Sequence, residues 1–319
     1  MIQHANTTAD GYREKEWAVI LAGGDSTRLK SLTRMIAGDE RPKQFCPVLG
    51  KGTLLDETRR RATLELAADR TLYVVNRQHQ AYYAPILADE PTDNLVVQPR
   101  NRGTAPAILY SLLRIVAVDP EAVVAFFPSD HYISNNERFM FHIRSALDAA
   151  RYRRDLIILL GLDPESPEVE YGWIEPAERI SVPGRIFGVR RFWEKPNHNL
   201  AQVLQLRGCL WNSFVMVASV QALLDIIENS LPELYRSVEA LVPLFGNPGE
   251  APAIDKLYQR LNETNFSHQV LAQYPERLAV LKVTGVRWND LGEPKRVMAS
   301  LNMVGIRPHW ADAATPQFA

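Results

Sequence analysis

Cysteine is scarce in this chain, with only Cys46 and Cys209 among 319 residues. Two thiols cannot build a disulfide scaffold or a four-thiolate metal site, and they suit a reducing compartment. The simpler role for both is that of small buried apolar side chains. Excess charge of either sign is also lacking, because 36 Lys and Arg against 37 Asp and Glu leave a net charge of -1. Such a chain has no long-range pull on nucleic acid, so an anionic ligand must be held by local cations, and a small anion suits it better than DNA or RNA. No apolar run approaches the ~20 residues of a membrane span. The first sixteen residues, MIQHANTTADGYREKE, lack the apolar centre of a secretion signal. A cytoplasmic protein without membrane contact is expected. Two familiar phosphate loops are missing as well: no Gly-Lys-Ser/Thr follows the glycine pair, as a Walker A loop needs, and the spaced three-glycine dinucleotide fingerprint does not occur.

What is present is concentrated in residues 17 to 48, WAVILAGGDSTRLKSLTRMIAGDERPKQFCPV. An apolar run, Ala18 to Ala22, enters a turn at Gly23-Gly24-Asp25-Ser26, and Arg28 and Lys43 follow as two cations that can face one anion. Glycines let backbone approach a ligand, and a helix starting at the turn presents free N–H groups and the positive end of its dipole. The pattern reads as a phosphate site, although strand, glycine turn and helix also occur as plain structure in α/β proteins.

Downstream, strand and helix signals alternate in the rhythm of crossover units and a mainly parallel sheet. Thr53 is set to cap a helix running to about Arg70, with Asp56 as its capping-box partner and Arg59-Arg60-Arg61 as a solvated face. Strands are expected at Thr71 to Val75 and Asn94 to Gln98, with a helix over Gln78 to Leu87 between them. Asn101, Gly103 and Thr104 then open a helix that Thr104 can cap, with Pro106 in its first turn; the same residues can shape a slot for a flat ring. Ala122 to Phe127 reads as a central buried strand ending in Pro128-Ser129-Asp130-His131. A carboxylate there is where open α/β sheets place ligands and metals, although Asp130 is also a turn former. His131 reads as structural support. The proline-rich, acidic stretch from Asp163 to Pro183 reads as an irregular rim segment, a substrate lid. Strands follow at Gly188 to Trp193, Gly208 to Ala218 and Arg277 to Val283. Proline-broken helices lie between the last two, and Leu231 to Leu261 is a candidate partner surface for a homodimer. A second exposed carboxylate, Asp290, comes before a closing helix from about Glu293. Arg28, Lys43 and Lys195 with Asp130 and Asp290 form a set that suits Mg²⁺ and phosphoryl or nucleotidyl transfer, where alignment and charge neutralisation suffice.

Six blocks, LAGGDSTRLKSLTR, RPKQF, PSDHYI, FWEKP, LWNS and RWNDLG, fall in order along nearly the whole chain. Together they resemble the sugar nucleotidyltransferases, and within them the mannose-1-phosphate guanylyltransferase branch. The resemblance implies an α/β fold with a Rossmann-like, mostly parallel (mixed) sheet flanked by helices and a smaller sugar-side and C-terminal helical part. It implies a lead-in over residues 1–16, a nucleotidyltransferase domain over 17–292 with sugar-side insertions at about 163–262, and a C-terminal helix and tail over 293–319. It further implies that GTP and a sugar 1-phosphate, mannose 1-phosphate first, are joined with release of pyrophosphate and with Mg²⁺ as cofactor.

Carried over residue by residue, the resemblance makes the backbone of Leu21, Ala22, Gly23, Gly24, Ser26 and Thr27 the nucleotide cradle. Asn101, Gly103 and Thr104 become the base slot. Arg28 holds the departing phosphates, Lys43 meets the α phosphate and Lys195 pairs with the sugar phosphate. Gly172, Glu194 and Asn212 touch the sugar hydroxyls, and Asp130 and Asp290 ligate Mg²⁺. Four positions depart from the family pattern. Ser26 and Phe214 stand where glycine is usual, and Lys30-Ser31 replaces a tryptophan-proline pair. If Ser26 needs φ > 0, a strain of ~1 to 3 kcal/mol is expected. With the chain ending at Ala319, neither the fused isomerase domain nor the hexapeptide β-helix of other members is expected. The alternatives are the same chemistry on another sugar 1-phosphate or nucleotide, and a catalytically weak regulatory protein that binds sugar nucleotides.

Overall fold

The computed structural model describes residues 14–50 and 52–311. The lead-in expected over residues 1–16 lies outside the described residues up to position 13, and Glu16 already belongs to the first strand. The strands are β1 (Glu16–Ala22), β2 (Thr71–Asn76), β3 (Leu95–Gln98), β4 (Val123–Pro128), β5 (Tyr132–Ile133), β6 (Ile157–Leu162), β7 (Gly172–Arg179), β8 (Ile186–Glu194), β9 (Leu210–Ser219), β10 (Leu278–Val283) and β11 (Trp288–Asn289). The longer helices are α1 (Lys30–Ala37), α2 (Leu54–Ala62), α3 (Thr104–Val118), α4 (Asn136–Tyr152), α5 (His198–Leu206), α6 (Val220–Ser230), α7 (Pro232–Glu239), α8 (Glu250–Tyr258) and α9 (Pro294–Val304).

Nine strands form one mixed sheet in the order β3-β2-β1-β4-β9-β6-β10-β8-β7, with β9 also pairing β7. β3, β2, β1 and β4 run parallel, as do β6 and β10, while β9 lies antiparallel between β4 and β6. The strands that read as continuous apolar runs, β4 and β6, are buried at every residue, as expected where both faces are covered. Alternate side chains of β1 enter two cores: Ala18, Ile20 and Ala22 pack with α2, α4 and α5 on one face, and Val19 packs with α3, α6, α7 and α8 on the other. Chain order reverses at β1, which has β2 on one side and β4 on the other. Open α/β sheets form their ligand crevice at the carboxyl ends of such strands.

Local signals hold in most places. Thr53 caps α2 and forms the full capping box with Asp56. The basic run on α2 differs from the solvated face expected of it. Leu54, Thr58 and Arg61 share the inner stripe of the helix, so Arg61 is 3% exposed and donates from Nε to Asn136 Oδ1 at 2.8 Å. Arg59 turns inward to the Ile86 carbonyl and Glu90, and Arg60 stays in solvent. The helix expected over Gln78 to Leu87 is shorter, with α-helical geometry only at Gln80–Tyr83.

The stretch expected to be an irregular lid also differs, because its residues 172–179 are β7, seated between β8 and β9. Trp173 is fully buried and pairs with Trp193 on one side and Trp211 on the other. Pro176 is accommodated at a register shift, where a strand tolerates a missing N–H. A third core cluster joins α1 to α9 through Leu29, Leu32, Leu291, Val297 and Leu301, fixing the closing helix beneath the glycine loop.

The start of β1 is held by charge rather than left free. Glu16 is 2% exposed and accepts from Arg144 Nη1 at 2.7 and 2.9 Å and from Arg151. Removing one partner of a buried pair strands the other charges. Glu16→Gln is expected to lower the unfolding free energy by about 3 kcal/mol, read as the shift in a urea unfolding curve. A change below about 0.5 kcal/mol would show the cluster to be as weak as a surface pair.

Candidate active site

The glycine turn leaves β1 and is fixed from below by a side chain that the sequence reading passed over. Gln44 is 1% exposed, donates from Nε2 to the carbonyls of Ala22 at 3.1 Å and Gly24 at 2.7 Å, and accepts from Ser26 Oγ at 3.1 Å. Ser26 has φ 49° and ψ 38°, the left-handed conformation that its departure from glycine made a question. The Leu21 carbonyl is taken by Ser129, whose backbone N–H and hydroxyl donate to it at 3.1 and 2.8 Å, so the turn is tied to the end of β4.

Lys43 lies beside Gln44 and is 6% exposed. Its ammonium donates to the carbonyls of Asp290 and of Leu291, the latter at 3.2 Å, and pairs with Asp130 Oδ2 at 3.3 Å. Three donors thus meet three acceptors. The two aspartate segments, 160 positions apart in the chain, are brought together around one side chain. Burial raises the pKa of Asp130, but Lys43 and then His131 outweigh it, so the carboxyl sits below its ordinary range. His131 accepts from Trp288 Nε1 at its Nδ1, 3.2 Å away, and places Nε2 3.5 Å from Asp130 Oδ1. Burial holds the imidazole below its ordinary pKa, so it stays neutral and acts as a support. Asp290 Oδ1 accepts from the Tyr171 hydroxyl at 3.0 Å and the Gly292 N–H at 2.9 Å, with Arg296 Nη1 3.5 Å away. Gly24, Ser26, Thr27, Arg28, Lys43, Asp130 and Gly292 line one cavity of about 230 Å³.

Gly172, Glu194 and Asn212 meet across β7, β8 and β9: a Cβ built on Gly172 would lie 3.1 Å from Glu194 Oε2 and 3.3 Å from Asn212 Cβ. Lys195 follows at the end of β8. The Asn101 to Thr104 turn lies apart from the cavity lining and joins the glycine loop through Asp25, which accepts from Asn101 Nδ2 at 2.9 Å. Thr104 does not cap α3 as expected. Gly103 takes the N-cap position with φ 83° and lies so close to Thr264 that a Cβ would stand 2.3 Å from its carbonyl oxygen. The Thr104 hydroxyl instead accepts from the Phe266 N–H at 2.9 Å, fastening the turn to the chain before β10.

Among the described residues, the non-glycine positions with positive φ are Ser26, Lys195, Phe214 and Leu291, at 49°, 46°, 60° and 50°. Ser26, Lys195 and Leu291 adjoin this cleft and Phe214 lies in β9 two residues after Asn212, and each costs about 1 kcal/mol or more. Glycine turn, buried lysine, paired aspartates and clustered strain coincide at the carboxyl ends of β1 and β4. The nucleotidyl transferase family model matches residues 17–303. The chain belongs to the nucleotidyl transferase family.

Among its relatives, mannose-1-phosphate guanylyltransferase 2 of Escherichia coli O157:H7 is 28% identical over 293 residues, covering 86% of this chain and 58% of that protein. The alginate biosynthesis protein AlgA of Pseudomonas putida is 26% identical over 277 residues, covering 86% and 56%. The chain therefore spans a little over half the length of the curated relatives it matches. In structure it is similar to a mannose-1-phosphate geranyltransferase from Thermus thermophilus, with a TM-score of 0.77, 27% identity and coverage of 92% of this chain and 80% of that one.

Within this family fold, four residues at the cleft escaped the sequence reading: Gln44, Glu170, Tyr171 and Arg296. Gln44 had a usable signal, since it adjoins Lys43 in a buried turn. The other three bond partners more than a hundred positions away, or sit on a helix face that reads as ordinary surface. Both thiols are inert, because burial pushes Cys46 up to about 12 and Cys209 to about 11. Glu194 is strained electrostatically. Burial raises its pKa above the ordinary carboxylate value, against the pull of Lys195 and His268. The folded state therefore binds the proton more tightly than the unfolded state, and ionised Glu194 subtracts stability at neutral pH; the subtraction vanishes as pH falls below about 4. Glu194→Gln is expected to melt higher than the parent at pH 7, with the gap closing toward pH 4. A gap independent of pH would assign the effect to packing.

Proposed function

We propose that this protein joins a sugar 1-phosphate, mannose 1-phosphate first, to GTP and releases pyrophosphate. The observation that carries the reading is the buried Lys43 ammonium holding the Asp130 and Asp290 segments together beside the glycine loop. GTP and mannose are favoured because the similar E. coli protein is a mannose-1-phosphate guanylyltransferase. A cytoplasmic location belongs to the same proposal. The two unpaired cysteines agree with it, and among the described residues no helix is long and apolar enough to cross a membrane.

In this reading the glycine loop receives the phosphates through backbone N–H groups, and the left-handed turn at Ser26 aims them into the cavity. The attacking oxygen of the sugar phosphate is already an anion, so no general base is needed, and the barrier lies in bringing two polyanions together. Arg28, half exposed at the mouth, neutralises the departing phosphates. Lys195 carries the sugar phosphate from the opposite wall, with Gly172, Glu194 and Asn212 beneath the sugar. The Asp130 carboxylate is the acceptor that Lys43 gives up when an α-phosphate oxygen takes its place. The residues present fit Mg²⁺ in donor type, since Asp130, ion-paired with Lys43, and Asp290, bonded to Tyr171 and the Gly292 N–H, offer hard carboxylate oxygens beside the cavity. That composition suits a hard ion completed by phosphate oxygens and water. Asp130 and Asp290 would hold it, and when bound it supplies charge neutralisation on the phosphates.

The test crosses each common nucleoside triphosphate with several sugar 1-phosphates in Mg²⁺ and reads pyrophosphate release. GTP with mannose 1-phosphate is expected to give the highest kcat/KM. Asp130→Asn and Asp290→Asn are each expected to lower it ~100-fold or more, about 3 kcal/mol of transition-state stabilisation, with unchanged circular dichroism. Saturable nucleotide-sugar binding with no turnover in any pairing would replace the enzyme by a binding protein.

A further inference from the structure

The segment Glu168 to Gly172 reaches five residues of the cleft: Arg28, Asp290, Arg296, Lys195 and Glu194. Tyr171 holds Asp290 through its hydroxyl and accepts from the Lys195 N–H through its carbonyl at 3.2 Å. Glu168 Oε2 lies 3.5 Å from Arg296 Nη1, and Gly172 pairs with Glu194. Between these fixed points the Glu170 side chain reaches into the mouth of the cleft. Its Oε2 accepts from Arg28 Nη1 at 2.9 Å, and the same oxygen lies 3.8 Å from Lys195 Nζ. The two cations come from separate segments, one after β1 and one after β8, and the Glu170 carboxylate lies between them.

We propose that Glu170 is a built-in anion that occupies the place of substrate phosphate between Arg28 and Lys195 and so couples the filling of the two phosphate positions. The proposal rests on the reading above, in which Arg28 serves the nucleotide and Lys195 the sugar phosphate. Three observations carry it. One carboxylate oxygen serves both cations, so Glu170 cannot be expelled from one without leaving the other. The backbone on either side of it is held by hydrogen bonds, so expulsion is a side-chain rotation and not a loop movement. All three side chains are substantially exposed, at 50% for Arg28, 38% for Glu170 and 53% for Lys195. Exposed bridges of this kind are weak, and a phosphate, with more charge and more acceptor oxygens, displaces a carboxylate from a guanidinium. Glu293 Oε1, 3.8 Å from Arg28 Nη1, gives Arg28 a second carboxylate.

A carboxylate left between two phosphate groups is repelled by both. The first substrate to arrive expels Glu170, and the second finds its cation already released. By linkage each substrate then tightens the other by the same factor. Glu170 is thus a positioning residue that sets the affinity and the coupling, without touching the reacting atoms.

The experiment is calorimetric titration of inorganic pyrophosphate, alone and with saturating mannose 1-phosphate, into the parent protein, Glu170→Gln and Arg28→Ala. The parent is expected to bind pyrophosphate about threefold more tightly when mannose 1-phosphate is present. Glu170→Gln is expected to bind pyrophosphate about three- to fivefold more tightly than the parent, with the effect of mannose 1-phosphate reduced toward none. Glu170→Asp, which keeps the charge, is expected to fall between them. If Arg28→Ala loses binding while Glu170→Gln matches the parent in affinity and coupling, the placeholder is overturned and the phosphate reading stands. If the parent binds no pyrophosphate, or Arg28→Ala binds it as tightly as the parent, the phosphate reading falls and the placeholder with it.

Discussion

A buried ammonium group is the contact on which the cleft depends. Lys43 sits where an unpaired charge would be costly, and the chain satisfies it with the carbonyls of Asp290 and Leu291 and the carboxylate of Asp130. Those acceptors lie on separate segments, one after β4 and one after β11, and β5 and β11 pair to make a small second sheet beside them. The requirement to satisfy one lysine therefore fixes the separation of the two aspartates before any ligand arrives. Gln44, its neighbour, does the same for the glycine loop. A short buried turn, Lys43–Phe45, thus positions both the aspartate segments and the glycine loop.

Strain is the second constraint. Ser26, Lys195, Phe214 and Leu291 hold left-handed backbone that glycine would adopt without cost. Local contacts over-determine them: Ser26 bonds Gln44, the Phe214 N–H donates to Asn212 Oδ1 at 3.1 Å, and the Leu291 N–H donates to Asn289 Oδ1 at 2.7 Å. The electrostatic strain on half-buried Glu194 has the same character, since burial raises its pKa and disfavours its charged form in the absence of a bonding partner.

Much of this was legible in the sequence. The mixed α/β sheet followed from alternating apolar runs and amphipathic segments. The glycine turn, Asp130 and Asp290 stood out as carboxylates and glycines at strand ends. Three misreadings share one physical origin, which is tertiary partnership. Arg61 reads as surface until Leu54 and Thr58 place it on the inner stripe of α2. The stretch around Pro176 reads as a lid until β8 and β9 supply partners and a register shift admits the proline. Thr104 reads as a cap, but Gly103 takes that place against Thr264. Glu170 and Arg296 carry no local signal, because their partners, Arg28 and Lys195 for one and Asp290 and Glu168 for the other, are brought to them only by the fold.

Lys43 organises the two aspartate segments, and hydrogen exchange in the Lys43→Met variant is the direct test of that role. Loss of the ammonium leaves two buried carbonyls and one carboxylate without their donor. The backbone amides of residues 288–292 are expected to exchange about tenfold faster or more, the equivalent of ~1.4 kcal/mol of local opening. The amides of β1, which are tied into the sheet on both sides, are expected to keep their protection. Unchanged exchange at 288–292 in a folded Lys43→Met protein would contradict the account, because the aspartate segments would then hold their places without the lysine.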